Sequence, residues 1–302
     1  MKRLIGMIPV FIGVMLLIFV LLRVVPGDPV QVLLGEHYSQ DTIDRLTKAM
    51  NLDKPVFEQF LLYLSGVFHG DLGMSYVMKK PVTSLIMEAL PQTVILALMA
   101  SVFAWFVGIG SGIIAAIKQN KAPDHIFMGF SLAGISVPVF MSALFLQYVF
   151  SFKLKLLPLS SDGSLKSLIL PAIALGWNSA GSVARLTRSN LVDALQADYI
   201  DTAKAKGLTN RAVIFGHALR NSMLPVITLM AIQLSSMMSG AVVTESIFAI
   251  PGVGRLATNA IQTRDMPLLQ GTVLLTTVMV IFGSLLADIL YSVIDPRIRR
   301  EA

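Results

Sequence analysis

The sequence predicts an all-α, polytopic membrane protein with six transmembrane helices, and three observations carry that prediction. Of the 302 residues, 55% are apolar and only 14% are charged, against about 25% charged in an ordinary soluble domain. Mean hydropathy is +0.73, too high for a soluble chain of this length to cover its own surface. Six separate stretches approach or exceed the roughly 20 apolar residues a helix needs to cross the hydrocarbon core.

The first stretch runs from Leu4 to Leu22. It follows Met1-Lys2-Arg3, as a signal peptide would, but no small-residue cleavage site comes after it. It ends instead in Arg23 and Pro26-Gly27-Asp28-Pro29, and reads as a retained span. Segment 23–90 then predicts a helical cap on the outer surface. Asp41 suits the start of a short helix with Ile43, Leu46 and Met50 on one face. Pro55 suits the first turn of a second helix, whose apolar side carries Phe57, Phe60, Leu61, Leu64 and Phe68. Packing over the bundle is the simpler role for this cap, and ligand contact the sharper one.

The second span is Pro91–Ile117, and the third is Ile126–Phe152. Pro138 and the nearby Gly134 predict a kink or break within the third. Leu168–Ala184 is the shortest span, followed by Met223–Thr244 and Leu268–Ser292. An even number of spans puts both termini on one side. With those ends in the cytoplasm, inner segments carry thirteen Lys and Arg and the short outer loops five, so the positive-inside rule favours that orientation.

Composition also excludes chemistry. Without cysteine there is no disulfide, thiolate metal site, iron–sulfur cluster or cysteine nucleophile. The net charge of +6 is spread between apolar runs, which fits membrane orientation better than nucleic-acid binding. His37, His69, His125 and His217 lie in loops on both sides, with no metal-ligand spacing. The 16 methionines read as core filling. No Gly-x-x-x-x-Gly-Lys-Ser/Thr occurs, so a P-loop is absent and energy must come from another subunit or a gradient. Ion-driven carriers usually place ionisable groups within their spans; here Glu245 and Asp288 lie only near span ends, where capping or snorkelling is the simpler reading. The polar span residues are Ser111, Ser136, Gln147, Asn178, Ser179, Gln233, Ser235 and Ser236. Interhelical hydrogen bonding explains such groups at about 0.6 kcal/mol each. The sharper reading is a translocation path, for which Gln233, Ser235, Ser236, and Ser136 beside Pro138, are the first candidates.

Segment 185–222, between the fourth and fifth spans, is the most informative. Leu191, Leu195, Tyr199 and Ala203 recur at four-residue spacing and predict one continuous helical stripe. Asp193, Asp198, Asp201 and Lys204 fall mostly on the other side. Lys204 and Lys206 suit the C-terminal end of the helix dipole, and Gly207 suits a left-handed stop. A second amphipathic piece runs from Ala212 to Leu219. Such a helix fits a partner's groove or the lipid headgroups; periodicity alone does not separate the two.

Particular residues do. Asp201-Thr202-Ala203 with Gly207 resembles the cytoplasmic EAA motif of ABC-importer permeases, with Asp for Glu and Thr for the first Ala. Leu224-Pro225 resembles the closing element of that motif. Its longer spacing is similar to the peptide/nickel branch, as are Thr202–Gly207 and His217-Ala218-Leu219-Arg220-Asn221. Pro26–Pro29, Gly70-Asp71-Leu72-Gly73-Met74-Ser75, Leu170-Pro171-Ala172, Phe248–Arg255 and Asp295–Arg299 follow in family order. Across nearly its whole length the chain resembles the first-type permease of dipeptide or oligopeptide importers.

The resemblance implies the type I ABC-importer permease fold, as a single domain over residues 1–302, in a bacterial cytoplasmic membrane. Implied partners are a homologous second permease, two cytoplasmic ATPase subunits, an extracytoplasmic substrate-binding protein and membrane lipid, with no nucleic acid. ATP and Mg would bind in the ATPase subunits and no cofactor in this chain, which performs no covalent chemistry. Tyr199, Asp201, Ala203, Lys204 and Gly207 would form the coupling contact, the acid capping or pairing and the small residues allowing close approach. Nickel, a metal chelate or glutathione are alternative cargoes for the same machinery. A secondary carrier or channel is a reading from another class, as is an intramembrane enzyme, for which no Ser–His or paired-carboxylate arrangement is visible.

Overall fold

A computed structural model describes residues 2–24, 44, 47–48, 51–238 and 241–294. The expected cap helix around Ile43, Leu46 and Met50, and the motifs Pro26–Pro29 and Asp295–Arg299, lie outside the described residues, as does the Asp288 side chain. Among the described residues the regular structure is helical, with one isolated β-bridge between Met74 and Pro81. The helices are α1 Lys2–Val24, α2 Val56–Phe68, α3 Val82–Ile117, α4 Ala122–Ser136, α5 Val139–Leu146, α6 Ile169–Leu195, α7 Asp198–Ala205, α8 Leu219–Met238, α9 Val242–Ile247, α10 Val253–Gln262 and α11 Met266–Ile294. A π-helical turn, Gln147–Lys153, extends α5, and another, Ala212–Ala218, leads into α8.

Among the described residues four unbroken helical stretches are long and apolar enough to cross a membrane: Val82–Ile117, Leu165–Leu195, Ala212–Met238 and Met266–Leu285. The pair Ala122–Ser136 and Val139–Lys153 makes a fifth if taken as one span, bent by 108° at its break. The sequence-based boundaries mark the apolar core of each helix rather than its ends. At 36 residues α3 is about 54 Å long, well beyond a hydrocarbon core of about 30 Å. It starts nine residues before Pro91, with Thr83, Ser84 and Glu88 in its first turns. Similarly, α6 runs on past Arg185 and Arg188 into the expected cytoplasmic segment.

The chain divides into two compact units, residues 1–93 with 251–281 and residues 94–250 with 282–302. In the first, Met15 and Phe19 of α1 pack with Phe60 of α2 and Leu274 of α11. Phe19 meets the Phe60 ring edge-on at 5.2 Å and stacks with Tyr63 at 6.1 Å. Of the residues the sequence puts on the apolar side of α2, Phe60 and Leu64 pack, while Phe57, Leu61 and Phe68 are exposed, Phe57 and Phe68 at 73% and 70%. The helix is apolar on several faces, so periodicity could not choose among them. The contacts are made by Phe60, Tyr63, Leu64 and Val67, a proper i, i+3, i+4, i+7 set.

The same unit explains Gly70–Ser75. Asp71 Oδ1 accepts from the Gly73 N–H at 2.8 Å, and Ser75 N–H donates to the Lys80 carbonyl at 2.9 Å, closing a tight loop. Buried Asp265 sits against it, accepting the Ser75 hydroxyl and the N–H groups of Tyr76 and Val77, each at 3.2 Å. Asp265 also precedes α11 and accepts from Leu268 N–H at 3.4 Å, so one carboxylate caps a helix and pins the loop.

In the second unit, Leu96, Ala97 and Ala100 of α3 pack with Ala143 and Leu146 of α5, Leu170, Ala172 and Ala174 of α6, and Phe248 and Ile250. Small residues bring α3 and α6 together: a β-carbon on Gly112 would lie 2.6 Å from the Ala184 carbonyl oxygen. Glu245, expected to cap or snorkel at a span end, is fully buried in the first turn of α9, where the helix dipole favours its charge.

Candidate functional site

The segment after the fourth span is built from α6, a two-residue turn and α7. At the turn Ala197 is extended (φ −79°, ψ 146°) and precedes α7; its carbonyl accepts from Ile200 N–H at 2.9 Å. Asp198 and Asp201 lie in the first turn of α7, where acids suit the positive end of the dipole. The turn also resets the helical phase. Leu191 and Val192 of α6 are buried with Ile200 and Ala203 of α7, Val213, Ala218 and Ala116. Tyr199, expected on that stripe, faces out and is 38% exposed. Nothing in the sequence marks the interruption, because neither Gly nor Pro stands at 196 or 197.

The outer face of α7 therefore carries Tyr199, Asp201, Thr202 and Lys204, while Ala203 lies beneath it in the core. Lys204 Nζ and Asp201 Oδ1 are 3.3 Å apart, with side chains 52% and 81% exposed. Gly207 ends the helix at φ +78°. Its N–H donates to the Lys204 carbonyl at 2.9 Å, and Leu208 N–H donates to that of Ala203 at 3.4 Å. This pair of bonds is the Schellman arrangement, which needs a left-handed residue at the glycine position.

The second feature is the break between α4 and α5. Val137 is extended (φ −81°, ψ 125°), as expected of a residue before proline. Pro138 has no N–H to return to the Gly134 carbonyl, and the turn carries the Val139 N–H away from that of Ile135. These are the two acceptors a proline break orphans. Asn178 Nδ2 of α6 donates to both, each at 3.3 Å. At membrane depth a freed backbone carbonyl needs a partner from the protein or from a water-lined cavity, and the Asn178 amide is such a partner. The sequence marks Asn178 only as one polar span residue among several; its partners lie 43 and 44 positions away, beyond any local signal.

The path candidates divide around these helices. Ser136 and Pro138 are exposed at the break. A cavity of about 310 Å³ adjoins it, lined by Gly134, Val137, Ser142, Phe145, Trp177 and Asn178 among others. Gln233 is half-buried and donates from Nε2 to the Ser179 carbonyl at 3.3 Å, tying α8 to α6. Ser235 is buried against Gly283 of α11, filling the space a β-carbon there would need, so it serves helix packing. Ser236 is exposed. Among the described residues no three His, Cys, Asp or Glu side chains come together as a metal site. A pair with no signal in the sequence joins the buried Asp124 of α4 to the half-buried Arg188 of α6, 64 positions apart.

Residues 108–300 match the family described as binding-protein-dependent transport system inner membrane component, and residues 1–97 match the corresponding N-terminal family. The dipeptide transport system permease protein DppB of Escherichia coli (strain K12) is 39% identical over 333 residues, covering 100% of this chain and 98% of that protein. The glutathione transport system permease protein GsiC of the same strain is 38% identical over 298 residues, covering 99% and 97%. Among solved structures, the inward-facing MetNI methionine ABC transporter matches with a TM-score of 0.59 at 14% identity, covering 70% of this chain and 96% of that one. An amino acid ABC transporter with histidines matches with a TM-score of 0.52 at 17% identity, covering 69% and 94%. These two likenesses concern the fold alone.

Proposed function

Because the chain belongs to the family of binding-protein-dependent transport system inner membrane components, we propose that it forms half of a translocation path for dipeptides or oligopeptides. It is a multi-pass permease subunit of an ABC importer, with the type I permease fold. The other half of the path is a homologous second permease. Two cytoplasmic ATPase subunits bind ATP and Mg and drive the cycle, and an extracytoplasmic binding protein delivers cargo. The chain itself is not an enzyme and holds no cofactor. Residues 1–302 make one permease domain with six spans and both termini in the cytoplasm, an orientation supported by thirteen cytoplasmic Lys and Arg against five in short outer loops.

The observation that carries the mechanism is the mounting of α7. Its inner side is fixed by Ile200 and Ala203 in a core shared with α6, while Tyr199, Asp201, Lys204 and Gly207 remain exposed. That is the arrangement a coupling helix requires: an outer face for a groove in the ATPase subunit, and a rigid base that passes movement to a span. Two turn residues separate α7 from α6, so displacement of one is carried into the other. Ala203 then acts from beneath, by letting α7 sit close to α6. At the other end, Ser136, Pro138 and Gln233 are the path residues the geometry supports best.

Peptide cargo is supported by relatives whose names specify dipeptides and glutathione, and glutathione is itself a peptide. The test is uptake by cells lacking this gene, comparing a labelled dipeptide, labelled glutathione and nickel under ATP-replete conditions. Loss of dipeptide uptake with normal nickel uptake is expected. Loss of glutathione uptake alone would assign the narrower cargo, and loss of nickel alone would overturn the peptide reading.

A further inference from the structure

Helix α4 is held along α6 at three levels. Nearest α7, Arg188 donates from Nε to Asp124 Oδ1 and from a terminal nitrogen to Oδ2, both at 2.6 Å. Asn120 N–H adds a third bond to Oδ2 at 2.8 Å. Midway, Gly181 of α6 lies so close to the Ser131 carbonyl that no β-carbon would fit. At the far end, Asn178 holds the carbonyls of Gly134 and Ile135 beside the Pro138 break. The helix is thus clamped at both ends and touches backbone-close between them.

We propose that Asp124 and Arg188 are positioning residues that bind α4 and α6 into one lever, which carries displacement of α7 to the Pro138 break. The inference rests on the coupling role given to α7. The chemistry of the pair argues for geometry over stability. Asp124 is only 2% exposed, and a buried ion pair contributes little net stability relative to apolar side chains of similar volume. What it does supply is a fixed fork: two parallel N–H···O bonds set distance and angle together. Apolar helix faces can slide past one another by small shear steps. This pair cannot slide without baring a buried carboxylate. It also stands seven residues before the end of α6 at Leu195, where a push on α7 arrives first.

The test uses the assembled importer in proteoliposomes with its binding protein, measuring ATP hydrolysis and dipeptide uptake in the same vesicles. The key variant is the double substitution Asp124→Asn with Arg188→Met, which leaves no unpaired buried charge and keeps an acceptor for Asn120 N–H. It is expected to assemble and hydrolyse ATP as the wild type does, while uptake per ATP falls about ten-fold, within the usual range of coupling between sites. Arg188→Lys keeps the charge but loses the fork, and should fall between the double variant and wild type. Wild-type uptake per ATP in both variants overturns the lever. So does hydrolysis falling in proportion to uptake, which marks an ordinary structural pair. A wild-type complex without ATP-dependent uptake would instead sink the coupling reading itself, and the lever with it.

Discussion

Two acid–base pairs stand within one compact unit, and their surroundings separate what each can do. Asp201 and Lys204 lie 3.3 Å apart on the outer face of α7, largely in water. Asp124 and Arg188 meet bidentately between α4 and α6, with the carboxylate almost fully enclosed. An exposed pair at i, i+3 is worth about 0.2–0.5 kcal/mol and is weakened by salt. Its charges are thus available to another molecule at little cost. The enclosed carboxylate has no such freedom, because without Arg188 it is a buried charge that has lost its counter-ion. One pair is a surface offered outward, and the other fixes a distance inside.

The largest effect on stability is expected where that contrast is sharpest. Arg188→Met alone strips Asp124 of its counter-ion and should destabilise the protein by about 3 kcal/mol, the low end for a broken buried pair because Arg188 itself is partly exposed. The check is the thermal midpoint of the purified subunit in detergent, compared with the double variant carrying Asp124→Asn as well. Recovery in the double variant is expected; an equal loss in both would mean that the side-chain volume of Arg188 matters and its charge does not.

Next comes the outer surface. Asp201→Lys with Gly207→Leu reverses the charge of α7 and forces a branched side chain into a left-handed conformation, at a cost of about 1–2 kcal/mol. The protein should still insert while uptake is abolished. Normal uptake, with membrane levels matched by immunoblot, would remove α7 from the coupling role.

How much of this was legible in the sequence follows the range of each signal. Apolar spans and the Gly207 stop are local signals: among the described residues five of the six expected spans are met by helices long and apolar enough to cross, one of them bent, and Gly207 ends α7 at a left-handed φ. The Pro138 break was also expected, although a proline alone predicts a kink, whereas an extended Val137 gives a bend of 108°. Helix ends were not legible, because hydropathy reports where the apolar run stops rather than where hydrogen bonding stops; α3 begins before its apolar run and α6 continues beyond its own. Nor was the phase of α7, since Ala197 is extended by its tertiary setting and not by its residue type. The Asp124–Arg188 pair and the Asn178 cap join residues more than 40 positions apart, and no periodicity spans that distance.

An intermediate effect is expected at the break. Asn178→Ala leaves the Gly134 and Ile135 carbonyls without their donor, and an unsatisfied buried polar group costs about 1–3 kcal/mol. Asn178→Asp would fit the same space but replace the amide donor with an acceptor, so it should do no better than alanine. The thermal midpoint ranks the three proteins, and an aspartate variant as stable as wild type would show that the amide hydrogens are not what closes the break.

The smallest stability effect belongs to Lys204→Ala, and it sharpens the comparison most. Removing one member of an exposed pair should shift stability by no more than about 0.5 kcal/mol. Asp201 would remain solvated and Gly207 would still end the helix through its own backbone bonds. If α7 serves a partner, uptake should nevertheless fall more than stability does, because the lost charge then belongs to the ATPase groove and not to this fold. The measurement is uptake at matched membrane levels across a salt series. A deficit that grows from low to moderate ionic strength points to a contact whose remaining charges are screened in water. Uptake that follows the small stability change alone would return Lys204 to the role of a helix-end cation and leave Tyr199, Asp201 and Gly207 to carry the contact.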